Sequence, residues 1–309
     1  MRLCRYEQQG VVWIGFYSED SVIPLTQAAQ ALSIAVPASD SLLTYLPGGA
    51  SRAAVRELSA ALEKSDAVRK QLAIPVDSVS LRVPVPNPSK LLLLAGNYSA
   101  HIEEGGGKAE ERARTFPYVF MKPPLTTLTD PGKPIRIPAV SPDHVDWELE
   151  LGVIMGQRCH AVREADALSY VAGYTVVNDI SDRKFKPNPS RNKRDKDNFF
   201  DWLHGKWHDT FCPMGPCVLP ADELADPQTL KLTLKLNGEV RQDASTKDMV
   251  FPVAALIEFI SSFVTLEPGD IISTGTPAGV GNTTGTYVHS GDVLDAHIEK
   301  IGNLRNPVV

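Results

Sequence analysis

The sequence predicts an α+β fold in which a small N-terminal α/β unit precedes a larger, strand-rich domain. Three observations carry this reading. At 309 residues and 43% hydrophobic, the chain can bury one full core and support a smaller unit beside it. Stretches of alternating or β-branched residues mark strands in both parts, with helical spacing between them. The run Val83-Pro84-Val85-Pro86-Asn87-Pro88 cannot continue a helix and prefers extended backbone, so it marks a linker. The expected boundaries are 1–85 for the small unit and 86–309 for the large domain.

Within the small unit, residues 11–17 read as a strand. Residues 54–72 place Val55, Leu58 and Leu62 at helical spacing. After the linker, Lys90 to Gly96 is the first buried strand of the large domain. Further on, Leu230, Leu232, Leu234 and Leu236 alternate with polar residues before Asn237-Gly238, the signature of a hairpin. Pro252 opens a helix whose Leu256, Phe259, Ile260 and Phe263 form one apolar stripe.

Composition excludes several function classes. A net charge of −6 and a pI near 5.7 argue against nucleic acid as a partner. No apolar run approaches the roughly eighteen residues of a membrane span. The start Met1-Arg2-Leu3-Cys4-Arg5 lacks the apolar core of a signal peptide, which predicts a cytoplasmic protein. The four cysteines show no pairing pattern, consistent with reduced thiols.

Chemistry concentrates at residues 146–153, Asp-Trp-Glu-Leu-Glu-Leu-Gly-Val. In an extended chain Trp147, Leu149, Leu151 and Val153 point one way while Glu148 and Glu150 point the other. Two like charges held together call for a cation or solvent, and a hard divalent ion bound through oxygen is one solution. A half-buried strand with an ordinary wet face fits the same pattern. A third acid follows. Residues 171–179 read as a buried strand ending in Asn178-Asp179, and Glu164 to Tyr170 before it reads as a short helix. Strand, helix, strand brings the second strand back near the first. Asp179 then joins Glu148 and Glu150 in a three-carboxylate site that suits one Mg²⁺ or Mn²⁺ better than zinc. No CxxC pair or HExxH motif indicates zinc.

His101 and Glu104 stand three positions apart just after the first buried strand. On one helical turn the carboxylate can hold the imidazole and raise its basicity; a surface pair has the same spacing. Gly105, Gly106 and Gly107, followed by the charged stretch Lys108 to Arg114, read as a lid over substrate.

The Glu-x-Glu strand, Asn178 to Arg183, Gly205-Lys206, Thr210 to Pro216, Thr274 to Gly281 and the ending Ile301 to Pro307 together resemble the fumarylacetoacetate hydrolase family. The match runs from about Pro86 to the C-terminus. The resemblance implies that family's mixed β-roll, with Glu148, Glu150 and Asp179 as metal ligands and His101 with Glu104 as the catalytic dyad. It also implies an active-site Lys206, a Thr276 placed against the substrate carboxylate, and a homodimer. Arg183, able to pair with Asp179 or bind a carboxylate, and Lys122 are further candidates for substrate contact; each is equally compatible with a structural role. Two stretches depart from the family pattern: Lys206-Trp207-His208-Asp209, where many members have Lys-Ser-Phe-Asp, and Asp182-Arg183-Lys184 after the ligand turn. The basic stretch from Lys184 to Lys196 is either a solvated insertion or an aid to recruiting an anionic substrate.

These readings converge on hydrolysis of a carbon–carbon bond in a β-diketo acid such as an acylpyruvate, through a metal-bound enolate. The expected substrate is a small anionic 2-oxo acid. The same chemistry serves an isomerase or decarboxylase of 2-oxo diacids. A silent metal or carboxylate binder is the alternative outside catalysis; the presence of both His101 and Glu104 argues against it.

Overall fold

The computed structural model describes residues 1–108 and 112–309. The expected lid falls partly outside them, at 109–111. Among the described residues the chain is α+β, built on a twelve-stranded sheet, a four-stranded antiparallel sheet and a two-stranded ladder. The middle of the large sheet runs Cys212–Pro220, Val171–Asn178, Leu149–Met155, Ile271–Ser273, Leu91–Ala95, ending at Tyr118–Met121. Every residue of the first three of these strands is buried. Covered on both faces, they carry the β-branched and small residues that such a position favours.

The N-terminal strands continue this sheet. Arg2–Gln8 pairs along its length with Val11–Tyr17 and meets Cys212–Pro220 at Leu3 and Val218. Phe16, Val55 and Leu58 share one core with Leu91, Met214 and Ile271 of the following region. The helical stretch at 54–72 is two helices, Arg52–Glu63 and Asp66–Leu72. Lys64 and Ser65 bond back to Ala61 and Leu62 in tight closing turns, and Ser65 leaves helical geometry before the second helix begins.

The predicted hairpin pairs Lys231–Leu236 with Glu239–Ser245. Its turn places Asn237 at φ 51° and Gly238 at φ 86°, left-handed values that this residue pair tolerates and that match strand twist. The helix after Pro252 spans Val253–Ser261. It buries Leu256 and Ile260 but stops before Phe263, which is 61% exposed, so the apolar stripe is shorter than expected.

The acidic strand also differs in detail. It is interrupted: Val145–Asp146 pairs with Ser181–Asp182, and Leu149–Met155 pairs with Val171–Asn178 and Ile271–Ser273. Alternation survives the break. Trp147, Leu149, Leu151 and Val153 enter one core, while Ile154, on the side of Glu148 and Glu150, enters another. A wet face is excluded, because Glu148 and Glu150 are both buried.

Candidate metal centre and active site

Register brings the three acids together. Leu149 faces Asn178 across the antiparallel pair, so Glu148 lies opposite Asp179, and the Asp179 N–H donates to the Glu148 carbonyl at 2.8 Å. Asn178 caps this junction by accepting from the Glu148 N–H at 3.0 Å. Carboxylate oxygens of Glu148, Glu150 and Asp179 lie within 4.8 Å of one another.

The cluster is only partly neutralised by protein cations. Lys206 Nζ donates to Glu148 Oε2 at 2.9 Å, Asp179 Oδ2 at 2.7 Å and the Ser181 hydroxyl at 2.8 Å. Arg183 donates to Asp146 Oδ1 at 2.6 Å and Glu148 Oε1 at 2.5 Å. Its partners are therefore Asp146 and Glu148, where the sequence suggested Asp179. Lys122 is fully buried on the far side of Asp179, with all three donors taken by Asp179 Oδ1 and the carbonyls of Ile180 and Phe211. It does not line the cavity, so the expected substrate contact gives way to a role in holding Asp179.

Glu150 is the outlier. Its Oε2 accepts from the Ser273 hydroxyl at 2.6 Å and the Gly275 N–H at 2.9 Å, while Oε1 is buried with no partner. Burial, then the charges of Asp179 and Glu148, push the Glu150 carboxyl well above its ordinary range. Burial pushes Glu148 the same way, but Lys206 and Arg183 overcome it and hold that carboxyl below the usual range. An unpartnered buried oxygen on a member of a like-charged, all-oxygen cluster fits a hard divalent ion. Gly275 adopts φ +85°, and a Cβ there would meet the Asn97 side chain at 2.9 Å, so the loop that presents its N–H to Glu150 requires glycine.

The dyad faces the same space. Ser99–Glu104 is a short helix, and His101 Nδ1 lies 2.9 Å from Glu104 Oε1. Glu104 is fixed in turn by the Gly279 N–H at 3.0 Å and the Thr283 hydroxyl at 3.3 Å. Asn97, before this helix, bonds both Phe251 and the Thr274 carbonyl and ties the dyad to the loop carrying Gly275 and Thr276.

A cavity of about 220 Å³ unites these groups. Its lining combines the polar His101, Glu148, Arg183, Lys206 and Thr276 with the apolar Leu94, Ala95, Phe120 and Trp202. The Thr276 hydroxyl donates to the Leu149 carbonyl at 3.0 Å and accepts from Gln242, so its proton is already engaged. The departures at 207 and 208 lie outside the cavity lining. Trp207 donates to the Met121 carbonyl, and the His208 ring packs against Phe185 and Phe211. In the basic stretch, Arg191 is bound by Asp197 and Asp201.

Residues 90–309 match the family model described as fumarylacetoacetate (FAA) hydrolase, C-terminal. The chain belongs to the fumarylacetoacetate hydrolase family. It is 42% identical over 229 residues to a 2,4-didehydro-3-deoxy-L-rhamnonate hydrolase from Sphingomonas sp. (strain SKA58), covering 73% of this chain and 75% of that one. It is 38% identical over 234 residues to a mitochondrial oxaloacetate tautomerase from Xenopus laevis, covering 75% and 69%. Among solved structures, maleylpyruvate hydrolase from Sphingobium sp. SYK-6 in complex with manganese(II) ion and pyruvate superposes with a TM-score of 0.71 at 31% identity, over 100% of this chain and 99% of that one. The family is one of enzymes that includes hydrolases, isomerases and oxaloacetate tautomerases.

Sequence reasoning passed over Asp146, Asn97, Gln242, Ser273 and Trp202. Asp146 had a signal, since it opens the acidic stretch. The others are single polar or aromatic residues whose partners lie far away in the chain.

Proposed function

We propose that this protein is a divalent-metal-dependent hydrolase that cleaves a carbon–carbon bond in a compact β-diketo acid. The observation that carries the reading is the convergence of the His101–Glu104 pair and the Glu148 carboxylate on one small cavity, with Glu150 and Asp179 beside it. Glu148, Glu150 and Asp179 would hold one Mg²⁺ or Mn²⁺. When bound, the ion supplies Lewis-acid polarisation of a 2-oxo group and stabilises the negative charge that develops there.

The remaining chemistry belongs to the side chains. With Glu104 accepting, His101 Nδ1 carries the hydrogen and Nε2 is left as the base. Nε2 then takes a proton from a water attacking the distal carbonyl, help worth about 10² to 10⁴ in rate. Lys206 and Arg183 offset part of the carboxylate charge and, at the cavity lining, are the cations placed to meet an anionic acid once the ion is bound.

A second reading, isomerisation, tautomerisation or decarboxylation of a 2-oxo diacid, is favoured by the 38% identity to an oxaloacetate tautomerase. Incubation with acylpyruvates and with oxaloacetate, each with Mn²⁺ and after exhaustive chelation, separates the readings. Metal-dependent release of pyruvate and an acid from acylpyruvates is the expected result. Turnover of oxaloacetate alone would favour the second reading, and full activity after chelation would reject the metal.

A further inference from the structure

Trp202 stands on the Asp197–His204 helix and meets Phe120 edge to face, with ring centroids 5.0 Å apart. A second aromatic, Phe199, backs it at 5.8 Å. Lys206 Nζ lies over both Phe120 and Trp202, at 5.3 and 5.6 Å from the ring centres. The pair therefore touches the cation that anchors the acidic cluster.

The same two rings also line a much larger space. Phe120 and Trp202 also line an outer cleft of about 940 Å³, walled by Phe116, Tyr118, Phe263 and Met121. The two rings are a partition between a 220 Å³ polar cavity and a wide apolar one. A substrate held by its carboxylate and 2-oxo group at the charged side chains has the apolar part of the lining, Phe120 and Trp202 among it, left for the rest of its chain. Ligand cavities that accept larger molecules run from about 300 Å³ upward, so the inner chamber suits only a compact acid.

We infer that Trp202, supported by Phe120, determines substrate specificity by closing the inner cavity against bulky and aromatic acyl groups. This rests on the proposed reading of the site as one for 2-oxo acids. The preferred substrates are short-chain acids, and removing the Trp202 ring connects the inner cavity to the outer apolar cleft.

The test compares wild type with Trp202→Ala and Trp202→Leu in the Mn²⁺-loaded protein. Calorimetry reads the affinity for pyruvate and for phenylpyruvate, and steady-state assays read kcat/KM for acetylpyruvate and benzoylpyruvate. Wild type should favour the smaller member of each pair, and both variants should shift the ratio at least tenfold toward the aromatic one. Trp202→Leu, which retains apolar bulk against Phe199, should shift it less than Trp202→Ala. Ratios unchanged within twofold in both variants would overturn the inference. A shifted binding ratio without cleavage of either acylpyruvate would uphold the partition and reject the hydrolase reading.

Discussion

Glu150→Gln should stabilise the metal-free protein and weaken metal binding in the same molecule. The amide is isosteric, and its oxygen can keep the hydrogen bonds that Ser273 and Gly275 now give to Oε2. Its NH₂ would replace the unpartnered Oε1 and face acceptors on Glu148 and Asp179. Carboxylate oxygens within 4.8 Å of one another repel by roughly 3 kcal/mol per pair or more at an effective dielectric of about 20. Lys206 bridges the same two neighbours and offsets much of the sum, leaving a net gain of about 1–3 kcal/mol. The gain must depend on pH. The Glu150 carboxyl is raised in the folded state, so its wild-type contribution is present below the unfolded pKa and is lost as pH rises through the folded one. At low pH a protonated Glu150 resembles Gln and the two proteins should melt alike; the variant's advantage should grow as pH rises. Thermal melts in chelator across pH, with calorimetric titration of Mn²⁺, measure both effects. A variant that melts below wild type at every pH without metal, or that binds Mn²⁺ as tightly as wild type, would refute this account of the cluster.

Three further outcomes are expected. His101→Ala and Glu104→Ala should each lower acylpyruvate cleavage by about 10² or more while Mn²⁺ affinity measured by calorimetry stays near wild type, since neither residue is one of the three proposed ligands; unchanged cleavage in both would remove the dyad. Lys122→Met should destabilise the fold by about 1–3 kcal/mol, read as a lowered denaturation midpoint, because it takes a buried donor from Asp179 and from the Ile180 and Phe211 carbonyls while Lys206 still bonds Asp179. Sedimentation at micromolar concentration should give a particle of twice the 33.6 kDa chain mass. That dimer is a proposal carried by family resemblance, and a lone monomer would end it.

How far the site was legible depended on how local each signal was. The Glu148 and Glu150 side shows in a two-residue period that any extended backbone imposes, and it survived the break at Trp147–Glu148. The His101–Glu104 pair is one turn of helix, so its contact follows from spacing alone. The hairpin at Asn237-Gly238 is equally local. Placement of Asp179 beside the two glutamates was foreseeable in kind, because a short connection returns the next strand, but its opposition to Glu148 required the actual register.

Beyond that range the tertiary structure decided. Lys122, Lys206 and Arg183 look alike in sequence, as cations near polar turns. Only packing separates a fully enclosed Lys122 behind Asp179 from a Lys206 and an Arg183 at the cavity wall. The N-terminal unit reads as a separate piece across the proline run, yet its strands extend the main sheet and its side chains share that core. Trp202 reads as one more aromatic, and its place in the lining of two cavities depends on where the Asp197–His204 helix comes to rest. The physical division is one of range. Backbone periodicity and turn chemistry act over a few residues and are written into the chain. Burial, charge compensation and cavity walls are set by residues scores of positions apart, whose meeting only the folded sheet determines.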